Sequence, residues 1–252
     1  MKWIDMTKSG KKYRHLGSSI FAIILAVMML GLAVAAGFYM EKNTYIQSVQ
    51  ITGNHFVDSD EIQNSIYSPI GMRADSVNFD SLFNQIKMIP YINDVTVSMS
   101  IRGTLTFQVQ EHTPIAMLVN GSSRTYIAPG GVELPVISGK AVNVPLIYGV
   151  NLAGNTDSTY TKEYRLMEEF LIALTQNQTG WATISEVSWS NREGIVALTI
   201  ENGVKLIFGE ENYFQKLQDW QAFYAEAVTQ KGLQSFEIID LRFRDQIVTR
   251  KS

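Results

Sequence analysis

Catalysis by a polypeptide needs a nucleophile, an acid–base pair or a metal set, and this sequence offers few of the parts. It has no cysteine, which removes thiolate chemistry and disulfide staples together. Its histidines are His15, His55 and His112, and no two stand at the H-x-x-H or H-x-x-x-H spacing of a zinc site. Asp58, Asp60 and Glu61 lie close together but lack the D-x-D-x-D-G spacing of a calcium loop. The same residues suit the start of a helix. No G-x-S-x-G elbow, P-loop or dinucleotide fingerprint occurs. Asn120-Gly121-Ser122 and Asn177-Gln178-Thr179 fit the N-glycosylation triplet, which also arises by chance. The sequence therefore predicts no catalytic residue, no metal site and no cofactor. It does hold a recognition pattern near residue 240. In Glu237 to Phe243, Ile239, Leu241 and Phe243 share one face of a strand, and Asp240 and Arg242 share the other. Such a strand at a sheet edge offers N–H and C=O groups to a partner strand. A buried ion pair or a solvated face, with no partner, would give the same alternation.

Whatever the chain binds, one stretch decides where. Ser18 to Met40 is a run of 23 residues without a charge. At about 1.5 Å per residue it spans a hydrocarbon core of about 30 Å with some tilt. Five basic residues and one acid precede it, whereas Glu41 and Lys42 balance each other just after it. Positive flanks stay inside, so residues 1–17 are expected to be cytoplasmic and everything after Met40 extracytoplasmic. A cleaved signal is the rival reading, because Ala33-Val34-Ala35 is a small-x-small site. The run continues through Phe38 and Tyr39, which suits a retained anchor. The net charge of −3 hides an asymmetry: from Glu41 onward there are 16 basic and 23 acidic residues. So acidic a region is a poor nucleic-acid binder.

Beyond the run, the periodicity changes several times. Val49 and Ile51 mark a strand that Gly53-Asn54 closes. Asp58 with Glu61 reads as a capping box, with Val57 and Ile62 as the staple. Phe79, Leu82, Phe83 and Ile86 form one helical stripe. Val95, Val97, Met99 and Ile101 then alternate, Arg102-Gly103 turns the chain, and Leu105, Phe107 and Val109 alternate back. Residues 117–150 are Gly- and Pro-rich between short apolar runs. Tyr160, Tyr164, Met167, Leu171 and Leu174 mark a helix. Strands are expected over 184–189, 195–200 and 204–208, the last two joined by Asn202-Gly203. Asn212 is placed to cap a helix carrying Tyr213, Leu217, Trp220 and Tyr224 on a core-facing stripe, which Lys231 and Gly232 end. The chain is expected to finish in strands over 236–243 and 246–249.

The order strand, helix, helix, strand, strand within about 70 residues can bury one core beneath two helices. It resembles a POTRA domain. Val49-Gln50-Ile51-Thr52-Gly53-Asn54 and Glu111-His112-Thr113-Pro114-Ile115-Ala116 sharpen the likeness to the FtsQ/DivIB family of bacterial division proteins, with His112 where that family usually has Arg. Further landmarks are Gly209 to Leu217 and Ile239-Asp240-Leu241-Arg242-Phe243; Ala128 departs from an acidic position. The resemblance implies a non-enzymatic divisome scaffold of the cytoplasmic membrane, periplasmic at its C-terminal side, linking or regulating septal wall synthesis. It implies α+β architecture: a tail (1–17), a single transmembrane helix (18–40), a POTRA-like βααββ domain (41–112), and a mixed-sheet β-domain with packed helices (113–252). It also implies FtsB/FtsL-type partners bound by strand addition. The partner-binding residues expected are Asp240, Arg242, Phe243, Asp245, Gln246, Ile247 and Val248, although Arg244 to Val248 varies from the family. Other divisome proteins are expected at the POTRA domain and membrane segment. The alternative is a POTRA-type adaptor in outer-membrane assembly or secretion, a class that usually carries several such units or a barrel.

Overall fold

The computed structural model describes residues 13–42, 45–150, 161–244 and 246–251. Tyr160, Asp245 and most of the N-terminal tail lie outside them. Helix α1, Tyr13–Lys42, contains the charge-free run. Among the residues described with their side chains, no helix is long and apolar enough to cross a membrane. For α1 those residues are 21–35 and 37, all exposed, a shorter stretch than the ~20 residues a crossing needs. The crossing therefore rests on the sequence of Ser18–Met40.

The chain forms two compact units. The first comprises the residues up to Asn54, Asp58–Ile86 and Val95–Val109. In it, β1 (Ser48–Thr52), α2 (Ser59–Ser65), α3 (Phe79–Lys87), β2 (Ile92–Met99) and β3 (Thr104–Glu111) follow the expected order, with α3, β2 and β3 beginning or ending outside the unit. The sheet order is β1-β3-β2, and β1 runs parallel to β3. Leu105, Phe107 and Val109 alternate into the core, where Ile62, Leu82 and Ile86 of the helices are buried with them. Phe83 is half-buried and meets Phe107 edge-to-face at 6.4 Å. Gly53, at φ +84°, has no room for a Cβ against the Val109 carbonyl, which explains the glycine after the first strand.

Two local expectations change. Asp58 is the N-cap of α2 by backbone conformation, but its side chain does not cap. Val57 and Ile62 are both buried, as a staple requires. Ile101 does not continue the buried alternation: it sits in the β2–β3 turn and is 84% exposed. Truncating Leu82 to Ala, which empties a fully buried site, should cost about 2–5 kcal/mol in chemical denaturation. Phe83→Ala should cost less, being half-buried; equal stability of both variants and wild type would remove the stripe from the core.

The second unit comprises His55–Val57, Lys87–Asp94 and residues 110–252. Two short segments of the POTRA-like stretch thus pack with the later chain, for a visible reason. The Glu111 carboxylate accepts from the backbone N–H groups of His55, Phe56 and Val57 at 2.8, 2.7 and 2.9 Å. Phe56 stacks on Tyr91 at 4.8 Å, and the Tyr91 hydroxyl donates to the Pro135 carbonyl at 2.7 Å.

The body of this unit is a nine-stranded mixed sheet, ordered β12-β11-β10-β9-β8-β7-β4-β5-β6. The strands are β4 (Ala116–Asn120), β5 (Ser123–Ala128), β6 (Val132–Leu134), β7 (Leu146–Tyr148), β8 (Ile184–Ser190), β9 (Gly194–Thr199), β10 (Lys205–Gly209), β11 (Phe236–Asp240) and β12 (Val248–Lys251). The Gly- and Pro-rich region is thus four short strands. One face is covered by α4 (Lys162–Thr175), α5 (Gln178–Thr183) and α6 (Tyr213–Phe223). Phe170 of α4 meets Phe208 at 4.7 Å and Tyr213 at 5.5 Å. Asn202 and Gly203 both take positive φ, in a link of five residues between β9 and β10 rather than a two-residue turn. Asn212 is left-handed and does not cap α6 with its side chain. Asn177, one of the glycosylation-like triplets, is buried: it accepts from Gly180 N–H at 2.7 Å and donates to the Leu217 carbonyl at 3.2 Å.

Candidate partner-binding edge

β12 is the end strand of the large sheet among the described residues. It pairs antiparallel with β11, with Asp240 opposite Val248, Ile239 opposite Thr249 and Ile238 opposite Arg250. All four of its side chains are exposed. In an antiparallel ladder, alternate residues of an edge strand point their N–H and C=O groups away from the neighbour. β12 so placed leaves those outward groups available. Its outer end is basic, with Arg250 and Lys251, and Arg250 also forms an exposed ion pair with Glu237 at 2.6 Å.

β11 ends at Asp240, three residues earlier than expected, and β12 starts at Val248, two residues later. The reason lies in Asp240. Its carboxylate accepts from the Arg242 backbone N–H at 3.1 Å and from Arg242 Nε and Nη2 at 2.9 and 2.6 Å. The side chain thereby turns the backbone out of the ladder, as Asp does in an Asx-type turn. Asp240 is 8% exposed. Burial alone would push its carboxyl up; the side-chain and backbone hydrogen bonds and charge of Arg242, with the charge of Lys216, outweigh that and hold it below the ordinary carboxylate range. Arg242 is raised in turn, chiefly by its hydrogen bond to Asp240.

Behind the pair stands Lys216 of α6, a buried amine that donates to the Phe208 carbonyl at 2.7 Å. Burial lowers its pKa, against the opposing charges of Glu211 and Asp240. The sequence reading gave Lys216 no role, yet Tyr213, Lys216, Leu217 and Trp220 stand at i, i+3, i+4 and i+7. A lysine within an apolar stripe signals a buried partner. Gly209, beside both Lys216 and Arg242, lies at a β-bulge opposite Gly194, where a Cβ on Gly194 would collide with the Gly209 backbone.

The expected residues therefore divide. Asp240 and Arg242 form one buried-to-surface ion pair at the end of β11. Phe243, 47% exposed, lies in the connecting loop, with the Arg242 guanidinium 6.0 Å from its ring. Gln246 is exposed in that loop, and Ile247 is half-buried against the core. Val248 opens β12. Asp245 lies outside the described residues. Arg242, Lys216, Gly209, Arg192, Glu193 and Glu210 line a polar cleft of about 490 Å³. Two of its acids are engaged, Glu193 with Lys205 at 2.7 Å and Glu210 with Lys162 at 2.8 Å, and Glu211 also lines it. Among the described residues no group of three His, Asp or Glu side chains is placed to hold a metal.

The Asp240 carboxyl makes a pH prediction. Its folded pKa lies below its unfolded value of about 3.8, so its stabilisation is full above that value and is lost as pH falls through the lower folded one. Wild type should exceed Asp240→Asn in stability at pH 6, and the gap should close below about pH 3.8 in denaturation series at fixed salt. A gap unchanged with pH would remove the ion pair as its cause.

A βααββ unit followed by a nine-stranded mixed sheet with packed helices is the architecture of a POTRA-bearing protein. Residues 44–112 match the family described as "POTRA domain, FtsQ-type", and residues 113–250 match "FtsQ/DivIB, C-terminal related". The chain belongs to the FtsQ/DivIB family of cell-division proteins. It is similar to "Cell division protein FtsQ" of Rhodothermus marinus, 25% identical over 97% of this chain and 89% of that protein. The protein of the same name from Salinibacter ruber is 23% identical, with 90% of each covered. That of Geotalea daltonii is 27% identical over 68% of this chain and 62% of its own length.

Proposed function

We propose that this protein is a single-pass divisome scaffold that works by protein contacts rather than catalysis. Residues 1–17 are cytoplasmic, Ser18–Met40 cross the cytoplasmic membrane, and the POTRA-like (41–112) and β (113–252) domains stand in the periplasm at the septum. An FtsB/FtsL-type partner adds a strand to β12. Asp240, Arg242, Phe243, Gln246, Ile247 and Val248 shape the adjoining surface, and Asp245 belongs to the same loop in sequence. Other divisome proteins meet the POTRA-like domain and the membrane segment, and the assembly links or restrains septal wall synthesis. The observation that carries this reading is the exposed end strand β12, set beside a turn that Asp240 and Arg242 hold in place. Main-chain groups of such an edge give affinity, and alternate side chains give specificity. The outer-membrane adaptor rests on the POTRA-like unit alone, and the family match over 113–250 favours division.

Depletion in the native host should give filamentous cells that the full chain restores to division. Cells that keep dividing, or that show an outer-membrane assembly defect instead, would overturn the proposal. Protease added to spheroplasts should degrade residues after Lys42. A soluble form starting near Ala36 would replace the anchor with a cleaved signal.

A further inference from the structure

Three separate segments of the first unit meet at one end of its sheet. Ile46 N–H donates to the Met72 carbonyl at 2.9 Å, Gly71 N–H to the Ile46 carbonyl at 2.7 Å, and Gln47 N–H to the Gly103 carbonyl at 2.8 Å. Ile46 is buried at this junction, so the backbone there is fixed. The side chains exposed there include Ile101 at the β2–β3 turn, Tyr45, 55% exposed, and Ile70, 48% exposed, beside Gln47 and the Arg73–Asp75 ion pair. Arg102 is exposed next to Ile101. Hairpin turns favour Gly, Asn and Asp, and Ile101, 84% exposed, stands at this one in place of such a residue, grouped with Tyr45 and Ile70. Tyr, Ile and Arg together are the residues of a lipid–water interface, where rings and aliphatic stems sit at headgroup depth with polar ends in water.

Chain connectivity supplies the occupant. Tyr45 is five residues beyond Met40, the end of the charge-free run. Five residues reach at most about 17 Å even when extended, at ~3.3–3.6 Å each. The helix continues to Lys42, which shortens that reach, and α1 contacts the turn Ala74–Ser76, which follows Arg73, the bridge partner of Tyr45. The headgroup layer itself adds roughly 5–8 Å outside the hydrocarbon. The end bearing Tyr45, Ile70 and Ile101 is therefore tethered within reach of that layer.

We propose that Tyr45, Ile70 and Ile101 form a membrane-resting foot: the first unit stands on the outer lipid–water interface through this end. The inference rests on the anchor reading above. Its consequence is that the first unit does not swing freely on the segment joining it to the membrane.

The absence of native cysteine makes the test direct. The full chain, reconstituted in phosphatidylethanolamine–phosphatidylglycerol vesicles, is labelled with a fluorophore at Arg102→Cys, at Asp60→Cys or at Leu30→Cys. Asp60 is in the first turn of α2, which follows the opposite end of β1 from the Ser48–Thr104 pair. Headgroup nitroxide lipid should quench the Arg102→Cys label at least twofold more than the Asp60→Cys label, and adding Ile101→Asp should abolish that excess. Acyl-chain nitroxide should quench the Leu30→Cys label strongly. If Leu30→Cys is quenched but Arg102→Cys behaves like Asp60→Cys, the anchor stands and the foot is wrong. If Ile101→Asp leaves the excess intact, Ile101 does not hold the contact and the foot is wrong as stated. If Leu30→Cys is unquenched, the anchor reading fails and the foot fails with it.

Discussion

Proline at one of two neighbouring positions in β12 should cut partner binding about a hundredfold, while proline at the other should disturb the fold. Thr249 and Arg250 are adjacent, so only one directs its N–H away from β11. Proline there removes a donor to the added strand and places its ring in the ladder, a loss of roughly 3 kcal/mol, or about two decades in Kd. At the other position proline breaks a bond to β11 and should lower the melting temperature instead. Co-purification and titration with an FtsB/FtsL-type partner, alongside thermal melts, separate the two effects. Arg242→Glu is a weaker version of the test: it puts two acids side by side at Asp240 and should loosen the turn that leads into β12, costing at least tenfold in binding. If both proline variants are folded and bind normally, the partner does not add to this edge.

The other large effect lies in the core. Trp220 is fully buried, donates from Nε1 to the Thr183 hydroxyl at 3.0 Å, and packs against Phe223 and Tyr224. Trp220→Ala should cost about 3–5 kcal/mol, from lost burial and from the cavity left behind. Trp220→Phe should recover most of that and leave the lost hydrogen bond, about 1 kcal/mol. Equilibrium urea unfolding measures both. Near-equal losses for the two variants would mean that α6 does not carry the core of the sheet.

Strong periodicity explains what was legible in the sequence. The Leu82–Ile86 stripe, the alternation through Phe107 and the Asn202-Gly203 hairpin each hold several residues to one period, and the structure follows them. β6 and β7 were not legible, because a strand of three residues shows no period, and β7 is held by parallel neighbours distant in sequence. Ile101 misled because alternation carries no mark of where a turn begins. The end of β11 misled for a chemical reason: Asp240 binds its own chain two residues on and stops the ladder. Lys216 was visible as part of the Gly209 to Leu217 landmark and as a charge on the apolar stripe of α6, but its partner was not. The grouping of His55–Val57 with the second unit rests on the Glu111 carboxylate with three backbone donors and on the Phe56–Tyr91 stack, contacts that no side-chain period reveals.

Strand addition at β12 is most directly measured by hydrogen–deuterium exchange on the full chain in membrane, with and without the FtsB/FtsL-type partner. The outward amides of Val248–Lys251 should exchange freely alone and slow at least tenfold on binding, while β9 and β10 amides, already laddered on both sides, stay unchanged. Slowing confined to β1, with β12 exchanging as before, would contradict the account and move the partner to the other sheet.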